Sequence, residues 1–107
     1  MTIDLQRHVT RRQFTDQLHT VFSLRAGEVV LDAELVDVTA RDDLPGAGQY
    51  SLVFRVAADT PAAQALWGVE HPELGVQPML LVPVRRDADG LYLEAAFNQL
   101  IPAGEEV

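Results

Sequence analysis

The sequence predicts a mainly β domain of about six antiparallel strands, a small barrel or sandwich, with one short N-terminal α-helix. Three observations predict it. The hydrophobic period changes from 3.6 to 2 near residue 20 and stays at 2 through residue 97. Residues 66–98 read as three successive strands joined by two tight turns, Glu70-His71-Pro72-Glu73-Leu74-Gly75 and Asp87-Ala88-Asp89-Gly90. The length of 107 residues fits a single core. The expected layout is one domain over 1–107, with an arm at 1–8, a folded core at 9–98 and a tail at 99–107.

The helix rests on a capping pattern. Thr10 is a good N-cap, Gln13 completes a capping box, and Val9 can staple against Phe14. Phe14 and Leu18 then share one face, so the helix is expected to end near Leu18 or His19. Arg11 and Arg12 in the first turn oppose the helix dipole.

In the first strand Thr20, Phe22 and Leu24 alternate, and Ala26-Gly27 makes a turn. The second begins with Val29, Leu31, Ala33 and Leu35 on one face and continues with Val36 and Val38 on the other parity. A phase slip at Leu35-Val36 is what a β-bulge produces, and a bulge bends a long strand so that it can close a barrel. Residues 41–48, with a Pro-Gly step and a second glycine, read as a loop. Tyr50, Leu52, Phe54 and Val56 give the cleanest alternation in the chain. A connection follows at 57–63, where Asp59 or Thr60 could cap a single helical turn. Trp67 and Val69 face one way across the next strand, and Gly68 marks a bulge or a close backbone approach.

The fifth strand poses a conflict. Val76, Leu80, Val82 and Val84 share a face with Pro78, while Met79 and Leu81 occupy the other, which suggests a strand covered on both sides. Yet Pro78 and Pro83 cannot donate to a ladder, so at least one side should be an edge or a bulge. A curved strand near a barrel seam reconciles the two. Leu91, Leu93, Ala95 and Phe97 complete the core from the last strand, leaving Tyr92 and Glu94 facing outward.

Composition excludes several functions. Cysteine is absent, which removes disulfides, thiolate metal sites and a cysteine nucleophile. Eight basic residues, all arginine, stand against sixteen acidic ones, for a net charge of -8. That balance argues against nucleic acid, whose binding needs basic side chains to displace counterions from phosphates. It argues equally against anionic membranes. No apolar run could span a bilayer, and the N-terminus lacks the layout of a secretory signal, so cytoplasmic synthesis is expected. A non-classical export route would leave no mark in the sequence.

The charge is unevenly divided. Residues 1–25 carry +2, through Arg7, Arg11, Arg12 and Arg25 against Asp4 and Asp16, and the remainder carries -10. A basic N-terminal piece on an acidic body can dock onto its own body or a neighbour's.

A set of motifs resembles a known family: Thr10, Phe14, Leu18 and Phe22 at intervals of four, then Tyr50-Ser51-Leu52-Val53-Phe54, Glu70-His71-Pro72-Glu73-Leu74-Gly75, Leu81-Val82-Pro83-Val84 and Glu94-Ala95-Ala96-Phe97-Asn98. Over residues 9–98 this resembles a family of small bacterial domains of unknown function, DUF6916. The Glu-His-Pro turn and the Leu-Val-Pro-Val strand are its most specific parts. The resemblance implies a setting beside phage-tail-like or tail-collar fibre proteins. It carries no established activity and transfers no functional residue.

Candidates for chemistry are weak. Glu70, His71 and Glu73 concentrate metal-ligand types in one turn, but no second cluster supplies the remaining ligands. Hydrogen bonding of the turn's backbone by His71 and Glu73, with Pro72 fixing the corner, explains them better. Aligning Gly90 with the glycine of a calcium loop puts Arg85 at the first ligand and Ala96 where the bidentate glutamate belongs, so Asp87-Ala88-Asp89-Gly90 reads as a hairpin turn. Ser23 and Ser51 lack a nucleophile elbow, and His8 and His19 lack a recognisable acid partner. No catalytic residue, metal ligand or cofactor is therefore expected.

The remaining reading is a non-enzymatic structural or protein-interaction module of a multiprotein assembly, with a protein partner or self-association. Arg7, Arg11, Arg12 and Tyr92 are its candidate contact residues. The alternative is a small-molecule-binding barrel or a minor enzyme with a pocket near the 41–49 loop and Tyr50.

Overall fold

The computed structural model describes the backbone of residues 11–41 and 47–100, and the side chains of 11–39 and 50–96. The elements are α1 (Arg11–Asp16), β1 (Val21–Ala26), β2 (Val29–Arg41), β3 (Ala47–Val56), β4 (Ala65–His71), β5 (Gly75–Asp87) and β6 (Gly90–Leu100). The six strands close into a barrel in the order β1-β2-β3-β6-β5-β4. Every neighbouring pair is antiparallel. The barrel therefore follows from the period-2 pattern, each strand supplying one inward row.

Those inward rows fill the interior. Phe22, Leu24, Leu35, Leu52, Phe54 and Leu81 are fully buried. Phe54 meets Phe22 edge-on at 5.2 Å between ring centroids. Phe14 of α1 plugs one end of the barrel, 6.4 Å from both Phe22 and Tyr50. The helix starts at Arg11, where the capping pattern puts it, and ends earlier than expected, because 17–19 continue as turns rather than helix. Thr10 and Val9 lie outside the described residues, as do the side chain of Phe97 and residues 42–46 of the loop. The 57–63 connection forms a turn at 57–60, closed by Thr60 N–H to Ala57 C=O, in place of a helical turn. Arg86 ties that connection down by donating to the carbonyls of Ala58 and Thr60.

The phase slip at Leu35-Val36 is a bulge. Leu35 pairs with Phe54 and Asp37 with Val53, leaving Val36 as the extra residue. A second bulge lies in β5, where Pro83 pairs with Leu93 and Arg85 with Tyr92, leaving Val84 over. Gly68 instead pairs regularly with Arg25 and Pro78, so no bulge occurs there.

The conflict in the fifth strand resolves along its length. Residues 75–81 of β5 pair with β4, and residues 82–87 pair with β6. Pro78 thus stands in a half that has a neighbour on one side, and Pro83 stands at the bulge, where missing donors cost little. Met79 and Leu81 point inward and are buried, whereas Val76, Leu80 and Val84 are exposed. The strand is not covered on both sides; its second apolar face is open.

Both predicted hairpin turns are present. Leu74 N–H donates to His71 C=O across the first, Pro72 takes the second position that suits its fixed φ, and Gly75 follows at φ 78°. In the second, Asp87 pairs with Gly90, so the loop residues are Ala88 and Asp89. Neither has positive φ, so the turn is not the primed type an Asp-Gly loop would form. The Asp87 carboxylate instead accepts the N–H groups of Asp89 and Gly90. Gly90 is required by close packing: a Cβ there would lie 2.5 Å from both Arg55 Cγ and the Val56 carbonyl.

Candidate functional site

The antiparallel register lines up outward side chains across strands as it does inward ones. One outer row runs Val21, Glu34, Arg55, Tyr92, Arg85 over β1, β2, β3, β6 and β5. Its neighbour runs Asp37, Val53, Glu94, Val82. Together with His19 and the two bulge residues Val36 and Val84, parts of these rows line an open groove of about 480 Å³. A bulge on each flank bends the outer strands around it.

Glu34 is the hub of this groove. One carboxylate oxygen accepts from Arg55 Nη2 at 2.5 Å, and the other lies 3.4 Å from His19 Nδ1. His19 reaches that position from a left-handed backbone, φ 69°, a conformation costing about 1 kcal/mol or more for a side chain with a Cβ. Its N–H donates to the Leu35 carbonyl, fastening the end of the α1 turn onto β2. The histidine therefore does have an acid partner, fifteen residues away in sequence. Sequence spacing gives no sign of it, because the contact is made by register and not by a local motif. Among the described residues that line the groove, none is a serine, threonine or cysteine.

Tyr92 corrects an expectation. It does face outward, but it is 8% exposed. The Arg85 guanidinium lies 4.1 Å from its ring centroid and covers one face. Cross-strand pairing with both Arg55 and Arg85 buries the ring between two long side chains, which period-2 parity cannot foresee. Arg11 and Arg12 are exposed at the start of α1, on a different element from Tyr92, and Arg7 lies outside the described residues.

In the Glu-His-Pro turn His71 bonds the turn's backbone, as expected. His71 Nδ1 accepts the Glu73 N–H at 3.0 Å, which places the imidazole proton on Nε2, 3.1 Å from Thr20 Oγ1. The Thr20 hydroxyl in turn donates to the Gln17 carbonyl at 2.7 Å. Both ring nitrogens are thereby engaged, and Glu70 is held by Arg25 at 3.0 Å. Among the described residues no group of three or more potential ligands is placed to hold a metal ion.

Tyr50, the anchor of the alternative pocket, belongs to the core at 5% exposure, and burial raises its hydroxyl above the ordinary value. The groove described above lies on the outer face, and residues 42–46 of the loop lie outside the described residues.

A second outer region is apolar. Leu66 pairs with Leu80, Gly68 with Pro78 and Glu70 with Val76, so Leu66, Leu80, Pro78 and Val76 share the outside of β4 and β5 with Gly68 and the salt-bridged Glu70. Leu66 is 65% exposed, Val76 59% and Leu80 50%. Sequence parity put Val76, Pro78 and Leu80 on a common face of β5 and misassigned that face as covered. Among the described residues no helix is long and apolar enough to cross a membrane.

No curated protein and no solved structure matches the chain. A family model does, over residues 9–97, which takes in the helix, β1 to β5, most of β6 and both hairpin turns. With that match spanning most of its length, the chain belongs to the family described as Domain of unknown function (DUF6916).

Proposed function

We propose that the domain is a non-enzymatic protein-interaction module of a multiprotein assembly, in the phage-tail-like or tail-collar setting that the family resemblance implies, and that it engages its partner through the outer wall of β4 and β5. The observation that carries this reading is the contrast between the two faces of those strands. Inward, Val69, Met79 and Leu81 are packed; outward, Leu66 and Leu80 stand open to solvent beside one another, and Val76 stands open further along the same face. An exposed apolar patch on a chain of net charge -8 is what a contact surface requires. The test is co-purification of the full chain with the products of adjacent genes, with light-scattering mass measured in parallel. A partner retained by the native chain and lost on Leu66→Ser/Leu80→Ser supports the module; a monomer that retains nothing contradicts it.

A second reading has its own observation in the polar groove, where two bulges flank Glu34, Arg55 and Tyr92. It is a site for a small polar ligand. An amide chemical-shift screen that moves residues 34–37 and 84–92 would select it over the wall.

A further inference from the structure

The chemistry of the partner can be read from what surrounds the wall. Two outer rows cross it: Val30, Arg25, Gly68, Pro78 and, one step along, Asp32, Ser23, Glu70, Val76. Leu66 and Leu80 form the next step on β4 and β5. Gly68 leaves its own position without a side chain, so the centre of the patch is a shallow floor between Leu66, Leu80 and Pro78. Carboxylates lie around this floor, on β2 and in the two neighbouring turns. Asp32 lies along one row, Glu73 is exposed in the turn that joins β4 to β5, and Glu28 is exposed in the turn beside Val29 and Val30. The cation of these two rows, Arg25, is already engaged by Glu70 at 3.0 Å.

We infer that this wall binds a basic amphipathic segment of a partner protein, its apolar side chains on Leu66, Pro78 and Leu80 and its Arg or Lys residues on Asp32, Glu28 and Glu73. The inference rests on the interaction reading above and specifies its partner. Charge decides among the possible occupants. A second copy would bring the same acidic rim against itself, on a chain of net charge -8. An acidic segment would meet like charge. A basic one gains both apolar burial and an attractive rim.

The probes are two fluorescein-labelled synthetic peptides with leucine at the same amphipathic-helix positions, the remaining positions being lysine in one and glutamate in the other. Fluorescence anisotropy with the full chain is expected to show binding of the Leu/Lys peptide. Leu66→Ser/Leu80→Ser should weaken it by about tenfold or more. Asp32→Asn/Glu73→Gln should weaken it about twofold to threefold and flatten its salt dependence. Asp37→Asn, exposed on β2 five residues beyond Asp32 and in the groove row, should leave it unchanged. Leu66→Gln/Leu80→Gln serves as a second wall variant, and a cooperative thermal melt shows that each variant is folded.

Leu/Lys binding that survives both wall variants, equal binding of the Leu/Glu peptide, or no binding of either overturns the inference. Light-scattering mass separates its failure from that of the underlying reading. A native dimer that the wall variants convert to monomer keeps the wall as an interface but makes a second copy its occupant. If the chain is monomeric and its co-purifying partner is indifferent to the wall variants, both fail.

Discussion

Thr20 and His71, fifty-one residues apart in sequence, are joined by a 3.1 Å hydrogen bond that ties the entrance of β1 to the end of β4. The His71 ring also packs 4.5 Å from Phe22, centroid to centroid, so one side chain fastens the helix exit, the first strand and the Glu-His-Pro turn together. A buried group with both nitrogens engaged leaves its partners unsatisfied when removed. His71→Ala should therefore cost about 2 to 4 kcal/mol in urea unfolding and Thr20→Val about 1 to 2. The double variant should fall short of the sum by about 0.5 kcal/mol or more, since the two share one bond. Strict additivity would mean that the bond contributes nothing.

Neighbouring leucines in β5 give a contrast that needs no reference protein. Leu81 is fully buried and Leu80 is half exposed. Leu81→Ala should lose about 2 to 5 kcal/mol, and Leu80→Ala about 0.5 or less. Chemical denaturation of the two variants checks the inward and outward assignment of the strand. Equal losses would place both faces under cover.

Gly90→Ala should destabilise by about 1 to 3 kcal/mol, because the new methyl meets the Val56 carbonyl, which cannot move without parting β3 from β6. Gly75→Ala meets nothing within 4 Å and carries only the cost of its positive φ, about 1 to 2 kcal/mol. Crystallography or amide shifts would distinguish them further: the first should displace β3 near Val56, and the second should leave the strands in place.

Burial raises the Tyr50 hydroxyl above its ordinary value of 10.0. In the window between the ordinary and the raised value the folded chain holds a proton that the unfolded chain has released. Stability should therefore be unaffected by this group below about pH 10 and fall as pH rises above it. Urea midpoints measured across that window should decline more steeply for the native chain than for Tyr50→Phe. Parallel declines would show that Tyr50 ionises in the native protein as it does in water.

Much of the barrel was legible because its signals are local. The slip at Leu35-Val36 announced a bulge, and Pro78 and Pro83 announced an edge or a bulge along the fifth strand. Hairpin corners followed from Pro72, Gly75 and Asp87. What escaped was set by register. The Glu34 contacts with His19 and Arg55, and the covering of Tyr92 by Arg85, depend on which residues from distant strands share a row. Single-sequence parity says which face a residue takes and nothing of what lies beside it there. For the same reason the apolar outer face of β5 was readable as a face, while its exposure was not.

The most direct measurement of the central claim, that the outer wall of β4 and β5 is the contact surface, is amide chemical-shift mapping of the full chain during titration with the Leu/Lys peptide. Shifts should concentrate at residues 66–70 and 76–80 and extend to Asp32, with the groove at 34–37 and 84–92 unmoved. Shifts confined to the groove, or scattered over every acidic surface without focus on Leu66 and Leu80, would contradict it.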